Sequence, residues 1–227
     1  LFRHELLQDR SEIYGSPAQM SKDNLLVEAP HVWIAKQDHV GGAVGKGVMQ
    51  KANGKEAVNT TLRWLDGVDF TFNSTKDEQE GSLKQVFCRG HVELVTEGNT
   101  LTCDTLEVNF IHTEGNDSAP SIAIARNHVV AKSENQTLFA DEAKVTFKQV
   151  TEIDNPNSQD ENMFGSSSAD KLDATGDVQV LLADGGRAFC NSLMSDIDQE
   201  EATLLGNVVI AYERMLMNKG EEATLKL

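Results

Sequence analysis

The chain has 227 residues, of which 39% are apolar and 25% charged, and its formal net charge is −16. This length and apolar content suffice for one large core, and the apolar runs are too short to indicate a membrane-spanning helix. With 20 basic residues against 36 acidic ones, the chain lacks the excess of lysine and arginine that binds a phosphate backbone, which argues against DNA or RNA as a partner.

The first third of the chain shows strand patterns without a clear repeat. Residues 1–24 have mixed polarity and fit either a short helix or a strand of a preceding unit. Residues 25–75 are interpreted as a diverged first pair of strands, and apolar and polar residues alternate strictly at residues 68–72. The glycine-rich stretch 41–47 partly resembles a phosphate-binding loop because its glycines precede a lysine, but no serine or threonine follows that lysine. We therefore predict a flexible loop or hairpin connection there.

From residue 82 onward, a phrase of a small residue, a polar residue and a valine occurs four times: Gly90-His91-Val92, Asn127-His128-Val129, Gly176-Asp177-Val178 and Gly206-Asn207-Val208. After each phrase come an alternating apolar stretch, a break and a second alternating stretch. The alternation places apolar side chains on one face of a strand, and glycine or asparagine at the breaks favours tight antiparallel hairpins. We interpret the phrase as the entrance of a strand.

Short units that cannot bury an apolar face alone must stack on their neighbours. The sequence therefore predicts an all-β chain of repeated antiparallel hairpins. We expect a single repeat-built domain over residues 25–227, with the clearer repeats at 82–110, 121–147, 171–197 and 201–227. The insertions at 113–121 and 151–168 are rich in polar residues and are predicted to be surface loops, the second one disordered.

The three cysteines, Cys88, Cys103 and Cys190, form no C-x-x-C pair, and their odd number excludes a closed disulfide framework. We predict that they pack in the core as small apolar residues. His31, His91 and His128 each precede a valine, and a histidine ladder would bind a metal. However, Asp177 and Asn207 occupy the same place in the later copies. The position therefore requires a polar residue rather than a ligand.

No pattern in the sequence indicates catalysis. There is no G-x-S-x-G elbow, and no favoured arrangement of histidine, carboxylate and serine. The acidic residues 77–80 and 154–161 lack the glycine and terminal glutamate of a calcium loop. We expect a protein that is not an enzyme and that has no metal or cofactor.

The patterns at both ends of the sequence suggest that it is part of a longer chain. The sequence begins without methionine or a signal-peptide pattern and ends within an alternating stretch at residues 225–227. An open strand at either end invites another strand to pair with it. We expect continuation in a longer chain or head-to-tail association.

Residues 176–191 and 206–218 resemble the repeat of the OstA-like family, which includes the periplasmic lipopolysaccharide-transport proteins LptA and LptC and the amino-terminal domain of LptD. The resemblance covers residues 82–227 well and residues 25–75 poorly. It implies an open, folded-over β-jellyroll, V-shaped in section, that shelters acyl chains in an apolar interior. It also implies a periplasmic or cell-envelope location, with lipopolysaccharide or another envelope lipid and other OstA-like domains as partners.

The candidate lipid-binding residues are the apolar residues of the alternating stretches that are predicted to face inward: Val92, Leu94, Leu101, Leu106, Val108, Phe110, Val129, Leu138, Val145, Phe147, Val178, Val180, Val208, Ile210, Met215 and Met217. Cys103 is a further interior candidate. For any one of them, an ordinary packed core is the default interpretation. Two further hypotheses are a structural or adhesive β-solenoid with a filled interior, and a hydrolase of envelope glycans, for which the sequence offers no site.

Overall fold

A computed structural model describes the chain except for residues 6–8, 23–24, 54–56, 75–81, 97, 113–117, 149–168, 198, 200, 213–214 and 227. The described residues contain no helix and form one antiparallel sheet of fifteen strands. The predicted all-β, antiparallel architecture is confirmed. The strands are β1 (Phe2–Glu5), β2 (Arg10–Lys22), β3 (Leu25–Ala35), β4 (Val40–Val44), β5 (Gly47–Asn53), β6 (Ala57–Trp64), β7 (Gly67–Phe72), β8 (Leu83–Thr96), β9 (Asn99–His112), β10 (Ser118–Lys132), β11 (Gln136–Phe147), β12 (Ala169–Leu182), β13 (Arg187–Asp196), β14 (Glu201–Tyr212) and β15 (Met215–Lys226).

Strands that follow one another along the chain are neighbours in the sheet from β7 to β15. In the earlier part, β4 and β5 both pair with β3, and β6 and β7 both pair with β8. Each of these two pairs is therefore one long strand interrupted by a bend, at residues 45–46 and 65–66. The first residues of the chain belong to the same sheet, since β1 pairs with β2 and β2 pairs with β3. Of the two alternatives for this segment, the structure has strands.

The recurring phrase lies in the middle of strands β8, β10, β12 and β14, so its interpretation as a strand entrance is wrong. The first two residues of every copy have positive φ, between 44° at His91 and 80° at Gly90 and Gly176. Opposite each pair the next strand supplies one residue: Asp104, Asp141, Asn191 or Glu221. Two residues against one is a β-bulge, which bends the strand and increases its twist.

The bulges form a row across the sheet that continues into the interrupted strands. The amide of Leu65 donates to the Gly90 carbonyl at 2.6 Å, and the amide of Gly45 donates to the Asp66 carbonyl at 2.8 Å. The row divides the sheet into two parts. In β8 to β11, residues 83–89, 105–112, 118–126 and 142–147 form what we call the first half-sheet, and residues 92–96, 99–103, 129–132 and 136–140 form the second half-sheet.

Two of the predicted loops are corrected by the structure. Most of the glycine-rich stretch is strand, because Gly41 to Val44 lie in β4 and Gly47 begins β5, with the bend at residues 45–46 between them. A Cβ at Gly47 would lie 2.7 Å from Trp64 Cε2, which explains the glycine by close packing rather than by a loop. Residues 118–121 of the first insertion lie in β10, so this part of the predicted loop is strand. The second insertion lies outside the described residues.

The core follows the row of bulges on one face of the sheet. Beside the bulges in the first half-sheet and its neighbours, cross-strand partners form a continuous line that we call the inner row: Val68, Cys88, Leu106, Ala125, Ala143, Ala174, Leu193, Leu204 and Ala223. All but Ala223 are buried. Burial of this row and its neighbours supplies the apolar contribution to folding.

The close approach of neighbouring bulges predicts a specific effect of glycine replacement. A side chain at Gly176, where φ is +80°, would lie 2.5 Å from Asp141 Cβ. Gly98 also has positive φ, +75°, but has open space around it. We expect Gly98→Ala to lower the free energy of unfolding by about 1 kcal/mol through backbone strain. Gly176→Ala should cost about 1–3 kcal/mol more, because the added methyl overpacks the bulge.

Urea unfolding of both variants measures the difference between them. Equal losses of stability in the two variants would show that the contact with Asp141 is unimportant. Partial recovery of stability in the double variant with Asp141→Gly would confirm the contact.

Candidate functional site

A groove of about 290 Å³ opens on the apolar face of the central strands. Residues of both half-sheets line it. The lining residues are Leu94, Thr96, Asn99, Thr100, Leu101, Leu106, Ala123, Ala125, Ala131, Lys132, Ser133, Gln136, Leu138, Ala143, Val145, Ala169, Leu172 and Ile197. The walls are apolar, and the polar residues come from the hairpin ends of the second half-sheet.

The groove exists because alanines occupy positions that carry larger side chains elsewhere in the sheet. In the inner row, Ala125, Ala143 and Ala174 lie on three adjacent strands between Leu106 and Leu193. In the next row Ala123 lies between Val108 and Val145. Ala123, Ala125 and Ala143 line the groove and leave unfilled the volume that a leucine would occupy, whereas Ala174 is fully buried.

Fourteen of the predicted interior residues fall into three groups in the structure. Five of them line the groove: Leu94, Leu101, Leu106, Leu138 and Val145. Six lie in the packed core, each no more than 2% exposed: Val92, Cys103, Val108, Val129, Val178 and Val208. Phe110, Val180 and Ile210 are partly buried and pack against that core. The predicted set therefore combines groove wall with filled interior.

The three remaining predicted residues lie near the ends of strands. Phe147 is half-buried at the end of β11 and pairs with Ala169, which lines the groove. The side chains of Met215 and Met217 lie outside the described residues.

The alanines of the groove were missed because larger residues alternate with them. In residues 122–125 isoleucine and alanine alternate, and the size of isoleucine favours Ile122 and Ile124 as the inward residues. In the structure the alanines face the groove. Ile124 instead has Glu107 and Lys144 as its cross-strand partners on the opposite face. No local signal distinguishes the two faces of this segment, because both sets are apolar.

The face opposite the groove carries a connected polar network. Arg126 lies 2.9 Å from Glu142 and 3.3 Å from Glu107, while the amides of Gln85 and Asn109 donate to Glu107 at 3.0 and 3.1 Å. The hydrogen bond from Asn109, together with Arg126, holds the pKa of Glu107 below its ordinary value. The sheet is thus polar on one face and apolar on the face that carries the groove.

The predicted packing of the cysteines is confirmed, since all three are buried and free. Burial raises the pKa of Cys88, and it raises the pKa of Cys103 to about 12. These thiols remain neutral at ordinary pH and are poor nucleophiles.

The histidines in the recurring phrases lie at the bulges. His91 and His128 are exposed, and His128 Nδ1 lies 3.0 Å from Asp104 Oδ2. His31 lies in β3 and stacks on Tyr14 with ring centroids 4.2 Å apart. Within the described part of the chain, no three histidine, cysteine, aspartate or glutamate side chains are grouped so that they could hold a metal ion.

Comparison of the sequence with protein-family models and with curated proteins finds no match. In the part of the chain that the structure describes, no helix has the length and apolar character needed to cross a membrane.

The raised thiol pKa values predict a loss of stability at alkaline pH. A thiol whose pKa is higher in the folded state stabilises the fold fully below its unfolded pKa, near 9. That contribution is lost as the pH rises from there towards about 12, the folded pKa of Cys103. Urea unfolding at pH values from 8 to about 11 should therefore show a declining free energy.

The variant Cys103→Val provides the control for this pH dependence. It removes one titrating thiol, so it should decline less steeply than the wild type over the same range. Identical slopes for the two proteins would show that Cys103 does not contribute.

Proposed function

We propose that the chain is a non-catalytic lipid-binding and bridging module of the cell envelope, and that it shelters acyl chains in the groove. The observation that carries this proposal is the apolar groove between the half-sheets of a sheet whose other face is polar. An apolar cleft in a protein surface favours apolar ligands, and each methylene that it buries contributes about 0.8 kcal/mol.

The proposed architecture is the open β-jellyroll of the OstA-like family. In this proposal the sheet folds over along the row of bulges, and the two half-sheets form the arms of a V. Two features support it: bulges bend strands, and side chains from both half-sheets line the same groove. The repeated turn-forming pairs at 90–91, 127–128, 176–177 and 206–207 define the line of the fold.

The proposed mechanism is passive movement of a lipid along the interior, with energy supplied elsewhere and the lipid headgroup outside. Buried apolar walls interact with an acyl chain without a directional preference, so a chain slides more easily than a hydrogen-bonded ligand. The proposed ligand is lipopolysaccharide or another envelope lipid, which places the protein in the periplasm or elsewhere in the cell envelope.

A second proposal concerns association with other OstA-like domains. Within the described residues, β15 pairs on one side only, with β14, so its other edge is open. An open edge strand pairs readily with a strand of another chain. Head-to-tail pairing through this edge would extend the groove from one domain to the next.

The competing candidate is a structural or adhesive protein with a filled interior. It is favoured by the dense packing outside the groove, where Leu62, Trp64 and Val68 are no more than 2% exposed. The two candidates differ in whether the groove holds lipid, which experiments measure directly.

Photocrosslinking tests the lipid-binding proposal. A diazirine analogue of leucine at position 101, in the groove wall, should form a covalent adduct with a lipid A analogue. The same probe at position 65 is the control, because Leu65 is 47% exposed and does not line the groove. Mass spectrometry of an organic extract should also find lipid in protein purified from bacteria. An empty extract together with no adduct at position 101 would contradict the proposal.

Sedimentation velocity tests the association. The sedimentation coefficient should rise with protein concentration, and crosslinks should connect β15 of one copy with the first strands of the next. A concentration-independent monomer would leave lipid binding intact but would contradict self-association.

A further inference from the structure

We propose that the groove selects acyl chains that are joined to their headgroup by a neutral ester or amide, and that it discriminates against the carboxylate of a free fatty acid. This inference rests on the proposed lipid-binding function and identifies the chemical group that lies next to the bound acyl chain. It follows from a row of neutral polar residues along one rim of the groove and from the positions of the nearest charged side chains.

Four neutral polar residues of the groove lie at the hairpin ends of the second half-sheet. We call them the polar rim. The hairpin between β10 and β11 continues to the rim, because the Ser133 amide donates to the Gln136 carbonyl at 2.9 Å. Each rim residue lies two residues beyond an apolar residue of the groove wall, so alternation places it on the groove side: Thr96 beyond Leu94, Asn99 beyond Leu101, Ser133 beyond Ala131 and Gln136 beyond Leu138.

The same row of hairpin ends becomes apolar beyond the groove. Leu182 is the cross-strand partner of Gln136 and is 40% exposed. Tyr212 is also 40% exposed, and both of these apolar side chains lie beside Gly186. The hairpin ends of this sheet therefore do not need polar side chains in order to meet water. The polar residues coincide with the strands that carry the groove, which indicates that they serve its ligand.

The nearest cations on these strands face away from the polar rim. Lys132 adjoins the groove, but it pairs with Thr100 and Thr137 on the face opposite the groove. Arg187 pairs with Leu181, one residue out of phase with the groove side, and so lies on the opposite face as well. A ligand at the polar rim therefore meets neutral hydrogen-bonding groups rather than a lysine or arginine.

A carboxylate at the polar rim is unfavourable for two reasons. Entry into the groove removes water from the charged oxygens, and no cation on the groove side replaces that water. In addition, Glu134 and Asp184 are exposed in the two hairpin turns that flank Gln136, so the local charge is negative. Both effects oppose the binding of a free fatty acid in its ionised form.

An ester or amide suits the polar rim because it forms hydrogen bonds without carrying a charge. Its carbonyl oxygen accepts from a side-chain amide such as that of the exposed Gln136. The Ser133 hydroxyl donates to the Gln136 carbonyl at 3.5 Å, so its oxygen remains able to accept from the N–H of a ligand amide. The acyl chain then lies against Leu101 and Ala131, and charged parts of the headgroup lie beyond the rim in water.

Calorimetric titration of the full chain with monodecanoylglycerol and with decanoate tests this selectivity at constant chain length. The neutral ester should bind at least about tenfold more tightly at neutral pH. The preference should persist in about 1 M salt, which confines charge repulsion to about 3 Å, because salt does not remove the cost of desolvation. Equal affinities, or tighter binding of decanoate, would overturn the inference and leave lipid binding intact.

Protonation of decanoate provides a second test with the same acyl chain. Lowering the pH from about 7 to about 5 converts a large share of the carboxylate to the neutral acid. The affinity for decanoate should then rise about threefold or more, whereas the affinity for monodecanoylglycerol should change little. The same response with both compounds would show that the change arises in the protein, and would contradict the inference.

Substitutions of one rim residue locate the selectivity. Gln136→Lys places a cation at the polar rim, so it should raise the affinity for decanoate about two- to fivefold and leave that for the ester nearly unchanged. Gln136→Ala removes the side-chain amide and should weaken binding of the ester about two- to tenfold. The matched controls are Gln179→Lys and Gln179→Ala, since Gln179 is also exposed but pairs with Phe139 on the face opposite the groove. They should change neither affinity.

The outcomes separate this inference from the proposed function. An unchanged ratio of decanoate to ester affinity in Gln136→Lys, or an equal change in Gln179→Lys, would overturn the inference alone. No binding of either amphiphile by the wild type would overturn both proposals.

Discussion

The row of two-against-one bulges is the constraint on which the rest of the structure depends. Each bulge places two successive residues in the left-handed region of backbone space, where glycine and asparagine are tolerated and most residues are strained. The opposing strand supplies one polar residue, such as Asp141, packed tightly over the glycine of the next bulge. Because neighbouring bulges pack in this way, they stay in line across the sheet. The bends therefore add up, and the apolar sides of the two half-sheets come to line a common groove rather than one flat exposed face.

The groove forms where small side chains lie beside the row of bulges. In the inner row, Cys88 is fully buried and lies outside the groove, and Leu106 forms part of the groove wall. Ala125 and Ala143 leave the space that forms the groove. An apolar cavity lowers stability when empty, because its walls lack the contacts that a filled core provides. A bound alkyl chain would restore those contacts and would stabilise the folded state more as its concentration rises above its Kd. Stability and the proposed function are thus linked through the same alanines.

The charged side chains are distributed differently on the two faces of the sheet, the polar face and the face that carries the groove. The polar face carries Arg126 and its glutamate partners in a hydrogen-bonded network, which suits a long surface in contact with water. The groove walls are apolar in a chain whose formal net charge is −16. The general acidity repels anions at long range, and salt screens that repulsion over about 10 Å.

The sequence by itself determined the all-β architecture, the antiparallel hairpins and many of the inward positions, because alternation with period two is a local property of each strand. Two polar residues, Asp104 and Thr105, break the alternation between Cys103 and Leu106, and this break is visible in the sequence. Asp104 is the residue that lies opposite the bulge at Gly90 and His91. Only the tertiary structure decided that the recurring phrase bends a strand in its middle, since the same residues also suit the start of a strand. It alone decided that Ala123 and Ala125 face inward while Ile122 and Ile124 face the polar side. In that segment both faces are apolar, so the choice belongs to the register with β9 and β11 and not to the segment itself.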